Sequence, residues 1–83
     1  MLEMDKAVDI EIEQGNERLV VRYLPRTERT IYDLCDLNGR VIRTGKIAEE
    51  ETILDISQLR GKKYVMLIVD GDQVISKRVT LAA

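Results

Sequence analysis

The stretch TIYDLCDLNGRVIRTG, residues 30–45, decides the fold, because two apolar segments flank an asparagine-glycine pair. In its first half, Tyr32 and Leu34 lie two positions apart, which is the spacing of residues on one face of a strand. Asn38-Gly39 is typical of a tight hairpin, since a type I′ turn needs positive φ at both central residues. The stretch therefore predicts two antiparallel strands joined by this turn.

The predicted hairpin also fixes which side chains face each other. With a two-residue loop, Cys35 should lie opposite Ile42, and Leu34 should lie opposite Arg43. Asp36 precedes the turn by two positions, so its carboxylate can accept hydrogen bonds from backbone N–H groups of the turn.

Alternation of apolar and polar residues continues along the rest of the chain and predicts an all-β fold. A helix over EEETILDISQLRGKK is disfavoured by its β-branched residues and its glycine. About seven short antiparallel strands with regularly spaced turns indicate a single immunoglobulin-like or fibronectin-type β-sandwich. The predicted strands are VDIEIE (8–13), LVVRYL (19–24), TIYDLCD (30–36), RVIRTG (40–45), EEETILDIS (49–57), KYVMLIVD (63–70) and QVISKRVTL (73–81).

Length and composition limit what the chain can be. Its 83 residues predict one domain over residues 1–83, and 45% hydrophobic residues argue against disorder. A net charge of −2 without a basic stripe gives no electrostatic reason to expect nucleic-acid binding. The apolar run 65–69 is too short to span a bilayer, so we predict no membrane insertion. The N-terminus, with acids in its first five residues, does not resemble a secretory signal.

Cys35 is the first candidate for chemistry, because it is the only cysteine. A thiol reacts as the thiolate, which a nearby cation or histidine favours, but the chain contains no histidine. Asp36 would raise the pKa of the thiol, and in a strand it points to the opposite face. We therefore interpret Cys35 as a small buried apolar residue and predict that the protein is not an enzyme.

The acidic clusters offer oxygen ligands but no recognised metal loop. EEE (49–51) and DGD (70–72) lack the ligand spacing of a calcium-binding EF-hand, and zinc sites built from cysteine and histidine are excluded by composition. There is no glycine-rich phosphate loop either. We predict no metal and no cofactor.

The sixth predicted strand is apolar on both faces, whereas only one face of a sandwich strand meets the core. One face consists of Tyr64, Met66 and Ile68, and the other consists of Val65, Leu67 and Val69. We predict that the second set belongs to a contact surface for a protein partner, with Ile31 and Cys35 beside it. The alternative is that the chain's own termini or loops cover this face.

LRGKKY places Leu59 and Gly61 shortly before Tyr64. This spacing resembles the tyrosine corner of immunoglobulin-like domains, where the hydroxyl of a buried tyrosine bonds to upstream backbone. The same spacing also arises by chance, so both readings stay open.

Taken together, these segments resemble the C-terminal sorting domains of type IX secretion substrates in Bacteroidetes. The similarity covers roughly the last fifty residues, in which Asp-x-x-Gly-Arg, a Leu-Asp-Ile-Ser-x-Leu segment, a glycine before a tyrosine, and a lysine-bearing last strand follow in order. The chain departs from the family in having two residues between that glycine and the tyrosine, and in lacking the asparagine-proline motif that often opens the domain. The matching positions are Asp36, Gly39, Arg40, Gly61, Tyr64, Lys77 and Arg78.

The resemblance implies a non-enzymatic signal that secretion machinery recognises, in a secreted or cell-surface protein. Those seven positions would then be recognition or fold-signature residues. Lys77 and Arg78 would also be exposed charges that protect a sheet edge from unwanted pairing. A free-standing or accessory immunoglobulin-like module that binds a protein or a glycan is the alternative function.

Overall fold

The computed structural model describes residues 8–13, 17–59 and 63–81, which form seven β-strands and no helix. Turn residues interrupt the alternating pattern between strands, as the sequence predicts. The strands are β1 (Asp9–Ile12), β2 (Arg18–Arg22), β3 (Thr30–Asp36), β4 (Val41–Lys46), β5 (Glu51–Asp55), β6 (Lys63–Asp70) and β7 (Gln73–Thr80). The ranges predicted for β3 and β6 coincide with these bounds.

The strands form two antiparallel sheets, which confirms the all-β sandwich. The three-stranded sheet has the order β1-β2-β5, and the four-stranded sheet has the order β4-β3-β6-β7. In a constant-type immunoglobulin domain the fourth strand joins the sheet of the first, second and fifth strands. Here β4 pairs with β3 instead, so the strand order is not that of the constant type.

The core lies between the sheets and consists of every second residue of each strand, as period-2 alternation requires. The predicted inward positions Leu19, Val21, Tyr23, Leu54 and Ile56 are all buried, and Leu59 packs against the core at its margin. No helix long and apolar enough to cross a membrane occurs in the part of the chain that the structure describes.

The predicted register of the β3–β4 hairpin is only partly correct. Leu34 pairs with Arg43, but Cys35 pairs with Val41, because Ile42 is an extra residue in a β-bulge. Gly39 N–H donates to the carbonyl of Asp36 at 3.1 Å, and Gly39 takes a φ of 88°. The loop therefore has three residues, with a glycine in the left-handed region at its end, rather than the predicted two.

Two cationic side chains join the sheets at opposite sides of the sandwich. Lys77 on β7 donates from Nζ to the carbonyl of Val8 at 3.1 Å, and Arg43 on β4 donates from Nε to the carbonyl of Asp55 at 3.4 Å. The prediction that Lys77 is an exposed edge charge is therefore wrong. Its position in the strand places it on the inner face, in line with Ile75 and Val79.

Candidate interaction surface

The outer face is the side of the four-stranded sheet that points away from the three-stranded sheet. Strand register arranges its side chains in three rows that cross β4, β3, β6 and β7. The rows are Val41, Cys35, Val65 and Arg78; then Thr44, Asp33, Leu67 and Ser76; then Lys46, Ile31, Val69 and Val74. Val65, Leu67 and Val69 therefore lie side by side with Ile31 and Cys35, as the contact-surface hypothesis requires.

This face carries an apolar patch that reaches solvent. Ile31 is 41% exposed, Val41 is 49% exposed and Val74 is 62% exposed. The three predicted contact residues are half-buried, because neighbouring strands flank β6 on both sides. A contiguous apolar group of this kind, rimmed by polar residues, is typical of a binding surface. We call the residues Ile31, Val41, Val65, Leu67, Val69 and Val74 the apolar patch.

The charges around the apolar patch are mainly positive. Lys46, Lys63 and Arg78 are exposed on the outer face. The acid within the rows, Asp33, accepts a hydrogen bond from the hydroxyl of Thr44 at 2.7 Å. A partner surface with carboxylates around an apolar centre would complement this arrangement.

The opposite surface of the sandwich, on the three-stranded sheet, carries a group of ion pairs. On the three-stranded sheet, Arg22 lies between carboxylates, with Nη1 at 2.8 Å from Glu11 and Nε at 3.3 Å from Glu51. Nη1 is also 3.7 Å from Asp9. The charges of Arg22 and its carboxylate neighbours therefore balance one another across the three strands.

Cys35 lies on the outer face but is buried, with 6% of its surface exposed. Burial raises the pKa of the thiol, and the negative charges of Asp33 and Asp36 raise it further. The predicted burial of Cys35 is thus confirmed, and both effects on the pKa favour the thiol over the thiolate.

The Asp-x-x-Gly-Arg motif forms the β3–β4 loop. Asp36 Oδ1 accepts hydrogen bonds from the backbone N–H groups of Asn38 and Arg40, both at 2.9 Å. The expected turn-stabilising role of Asp36 is confirmed, and Gly39 supplies the positive φ. Among the side chains of this motif, Arg40 is exposed, as are Asn38 and Leu37, the latter at 66%.

The other positions of the family resemblance have separate locations. Tyr64 is buried on β6 at 4% exposure, so it belongs to the core. Gly61, and the segment 60–62 to which a tyrosine-corner hydrogen bond would lead, lie outside the described residues. Arg78 is exposed on the outer face beside Val65, whereas its neighbour Lys77 points inward. The six positions within the described residues lie towards one end of the four-stranded sheet, but their side chains point to different faces and do not form one site.

A cluster of hydrogen-bonded polar groups surrounds Asp70 at the end of β6, and the sequence motifs did not predict it. The carboxylate is 3% exposed and accepts a hydrogen bond from the Tyr23 hydroxyl at 2.6 Å. From the loop between β2 and β3 it accepts hydrogen bonds from Arg26 N–H at 2.8 Å, Thr27 N–H at 3.0 Å and Thr27 Oγ1 at 2.7 Å, and from the first residue of β3 it accepts one from Thr30 Oγ1 at 2.9 Å. Asp70 thus anchors this loop to the four-stranded sheet.

The two acidic groups of this cluster affect each other in opposite directions. Burial alone would raise the pKa of Asp70, but the hydrogen bonds outweigh it and hold the pKa well below its usual range. Burial and the hydrogen bond to Asp70 raise the pKa of Tyr23 to about 12. Strand alternation could have predicted the burial of Asp70, because Asp70 lies on the same face of β6 as Tyr64, Met66 and Ile68 and so points inward.

Among the described residues, no group of three or more histidine, cysteine, aspartate or glutamate side chains is arranged to hold a metal ion. Comparison of the chain with protein-family models, with curated proteins and with solved structures found no match. The family resemblance in the sequence therefore stays a prediction.

Proposed function

We propose that this protein is a non-enzymatic recognition domain, of the immunoglobulin-like or fibronectin-type class, that directs a secreted protein to type IX secretion machinery. The observation that carries the proposal is the apolar patch on the outer face. A small domain gains nothing in stability from leaving Ile31, Val41 and Val74 exposed on one continuous surface. Burying that surface against another protein provides a reason for it.

The motif residues support this proposal in two ways. Asp36 and Gly39 build the β3–β4 loop, so in this role they are fold-signature residues. Arg40 and Arg78 present exposed charges at the margin of the outer face and would contact the secretion machinery directly. Secretion to the cell surface or the medium follows from the same proposal.

Export of a reporter tests the sorting function. The chain is fused to the C-terminus of a periplasmic reporter in a bacterium that has type IX secretion, and reporter in the medium or on the cell surface is measured. We expect export of the fusion but not of the reporter alone. Retention of a folded, stable fusion in the periplasm would overturn the proposal.

A matched pair of variants tests the role of the apolar patch. Leu67→Lys places a cation at the centre of the patch, directly across from Asp33, where it can form a cross-strand ion pair. Ile53→Lys makes the same change at a 55% exposed position on the outside of the other sheet. We expect Leu67→Lys to abolish export and Ile53→Lys to retain it, with both variants folded by circular dichroism. Equal export of the two would show that the patch is not the recognition surface.

An accessory module that binds a neighbouring protein is the second candidate. It is favoured by the structural roles of Asp36, Gly39 and Tyr64, since a sandwich of this shape needs those residues whatever its partner. The export assay separates the two, because an accessory module would not carry a reporter across the outer membrane.

A further inference from the structure

The edge strands of the two sheets differ in how well they are protected against pairing with another chain. β1 and β5 are short, with four and five residues, and both carry carboxylates. β4 contains the bulge at Ile42, which disrupts a flat ladder. β7 is eight residues long, contains no proline, and pairs with β6 through eight consecutive residues without a bulge. It is the edge best suited to accept an added strand.

Backbone hydrogen bonding shows which groups of β7 point away from β6. Gly71 N–H donates to the carbonyl of Arg29, so these two residues form a hydrogen-bonded pair of the β3–β6 ladder. The next pair, Thr30 and Asp70, is therefore not hydrogen-bonded, and the N–H and C=O groups of Asp70 point towards Gln73 on β7. Bonded and non-bonded pairs alternate along an antiparallel ladder. The residues whose N–H and C=O groups point away from β6 are therefore Val74, Ser76, Arg78 and Thr80, on a side of β7 where no other described strand pairs. Their side chains also lie on the outer face.

Charge selects the kind of strand that this edge would accept. Arg78 is exposed on β7, which has no acidic residue, and the exposed Lys63 lies opposite Thr80. A second copy of β7 has no acidic residue, so it would offer no opposite charge to the cations of this edge. A segment that carries carboxylates would instead be attracted to the edge.

We propose that β7 binds an extended acidic segment of a partner protein, which adds to the four-stranded sheet as a fifth strand. Backbone groups of Val74, Ser76 and Arg78 pair with the segment, and carboxylates on the segment contact Arg78 and Lys63. The apolar residues of the segment continue the apolar patch beyond Val74. This inference rests on the proposed recognition function and specifies the way in which the partner is bound, by addition of a strand.

Binding of defined peptides to the whole chain tests this inference. The probe is a synthetic peptide in which every second residue, the set that shares a face in a strand, is valine in one half and glutamate in the other, with threonine between them. The comparison peptide has lysine in place of each glutamate. We expect the first to bind in a fluorescence-polarisation titration, with affinity that falls as salt is added, and the second not to bind. Equal binding of both peptides, binding of neither, or self-association of the chain through β7 would overturn the proposal.

Ser76→Pro removes one edge N–H without touching the bonds to β6, because this N–H points away from β6. Ser76→Ala keeps the N–H and is the matched control. We expect about tenfold weaker peptide binding for Ser76→Pro, which corresponds to one lost hydrogen bond, and unchanged binding for Ser76→Ala. Unchanged binding by a folded Ser76→Pro variant would contradict strand addition. If that variant bound the peptide unchanged and its reporter fusion were still exported, strand addition at β7 would be ruled out but the sorting function would not.

Discussion

At the scale of single residues, the buried carboxylate of Asp70 connects parts of the chain that are far apart in sequence. One carboxylate accepts five hydrogen bonds: one from Tyr23 just after β2, three from the loop that follows, and one from Thr30 at the start of β3. A buried charge is stable only when its hydrogen bonds are satisfied, and here they are. Among the described residues, no buried side-chain nitrogen or oxygen lacks a hydrogen-bond partner.

Acid should weaken the fold through this residue. The pKa of Asp70 is lower in the folded state than the value of about 3.9 in an unfolded chain, so its contribution is complete above that pH and is lost as the pH falls below it. Asp70→Asn removes the charge and places an amide among donors. We expect it to lower the free energy of unfolding at pH 7 by about 3 kcal/mol. In urea titrations, the difference between variant and parent should shrink from pH 6 to pH 3; a constant difference would contradict this role.

Cys35 should react slowly with thiol reagents while the protein is folded. The sulfur is buried, and burial raises the pKa of the thiol, so little thiolate exists at neutral pH. An aromatic disulfide reagent should modify the urea-unfolded chain completely within the time in which the native chain hardly reacts. Fast modification of the native chain would mean that Cys35 is an activated thiol.

At the scale of elements, the sandwich is closed at its sides by long cationic side chains rather than by strand pairing. Lys77 reaches from β7 to the carbonyl of Val8, and Arg43 reaches from β4 towards the carbonyl of Asp55. The aliphatic stem of a lysine can lie along apolar surface while its ammonium group finds an acceptor. Both contacts hold a strand of one sheet against an edge of the other.

Adjacent residues of β7 provide a matched test of this contact. Lys77→Met keeps the stem but removes the hydrogen bond to Val8, and we expect it to lower the free energy of unfolding by about 1 kcal/mol. Arg78→Met changes an exposed cation on the opposite face and should leave stability nearly unchanged. Urea midpoints of the two variants give the comparison, and equal midpoints would show that the contact adds no stability.

At the scale of the whole molecule, one core serves both sheets, and the outer face contributes little to it. Met66 and Leu67 show the contrast, because they are neighbours on β6 with opposite directions. Met66 is fully buried, whereas Leu67 is half-buried within the apolar patch. The apolar residues of the patch are thus available to a partner without a large cost to the fold.

Alanine substitutions at these two positions should separate stability from recognition. Met66→Ala leaves a cavity and should lower the free energy of unfolding by about 3 kcal/mol, whereas Leu67→Ala should cost about 1 kcal/mol. Denaturant unfolding measures both. A Leu67→Ala cost as large as that of Met66→Ala would mean that the outer face is part of the core.

The sequence was sufficient for properties that depend on neighbours along the chain. Strand positions, the inward set from Leu19 to Ile56 and the environment of Cys35 follow from alternation, which is local. The register of the β3–β4 hairpin failed because both a two-residue and a three-residue loop can use Gly39, and hydrogen bonds from the loop to Asp36 favour the second. The local sequence pattern does not show which of these two loop lengths is more stable.

By itself, then, the sequence determined that this protein is a β-sandwich with a two-faced sixth strand, because side-chain direction in a strand has a fixed period. Only the tertiary structure decided that the Val65, Leu67 and Val69 face lies beside exposed Ile31 and Val74, and that β7 is an edge. It also decided that Lys77 meets Val8 and that Asp70 meets Tyr23. These contacts join residues far apart in the chain, and such proximity depends on how the strands are ordered and stacked.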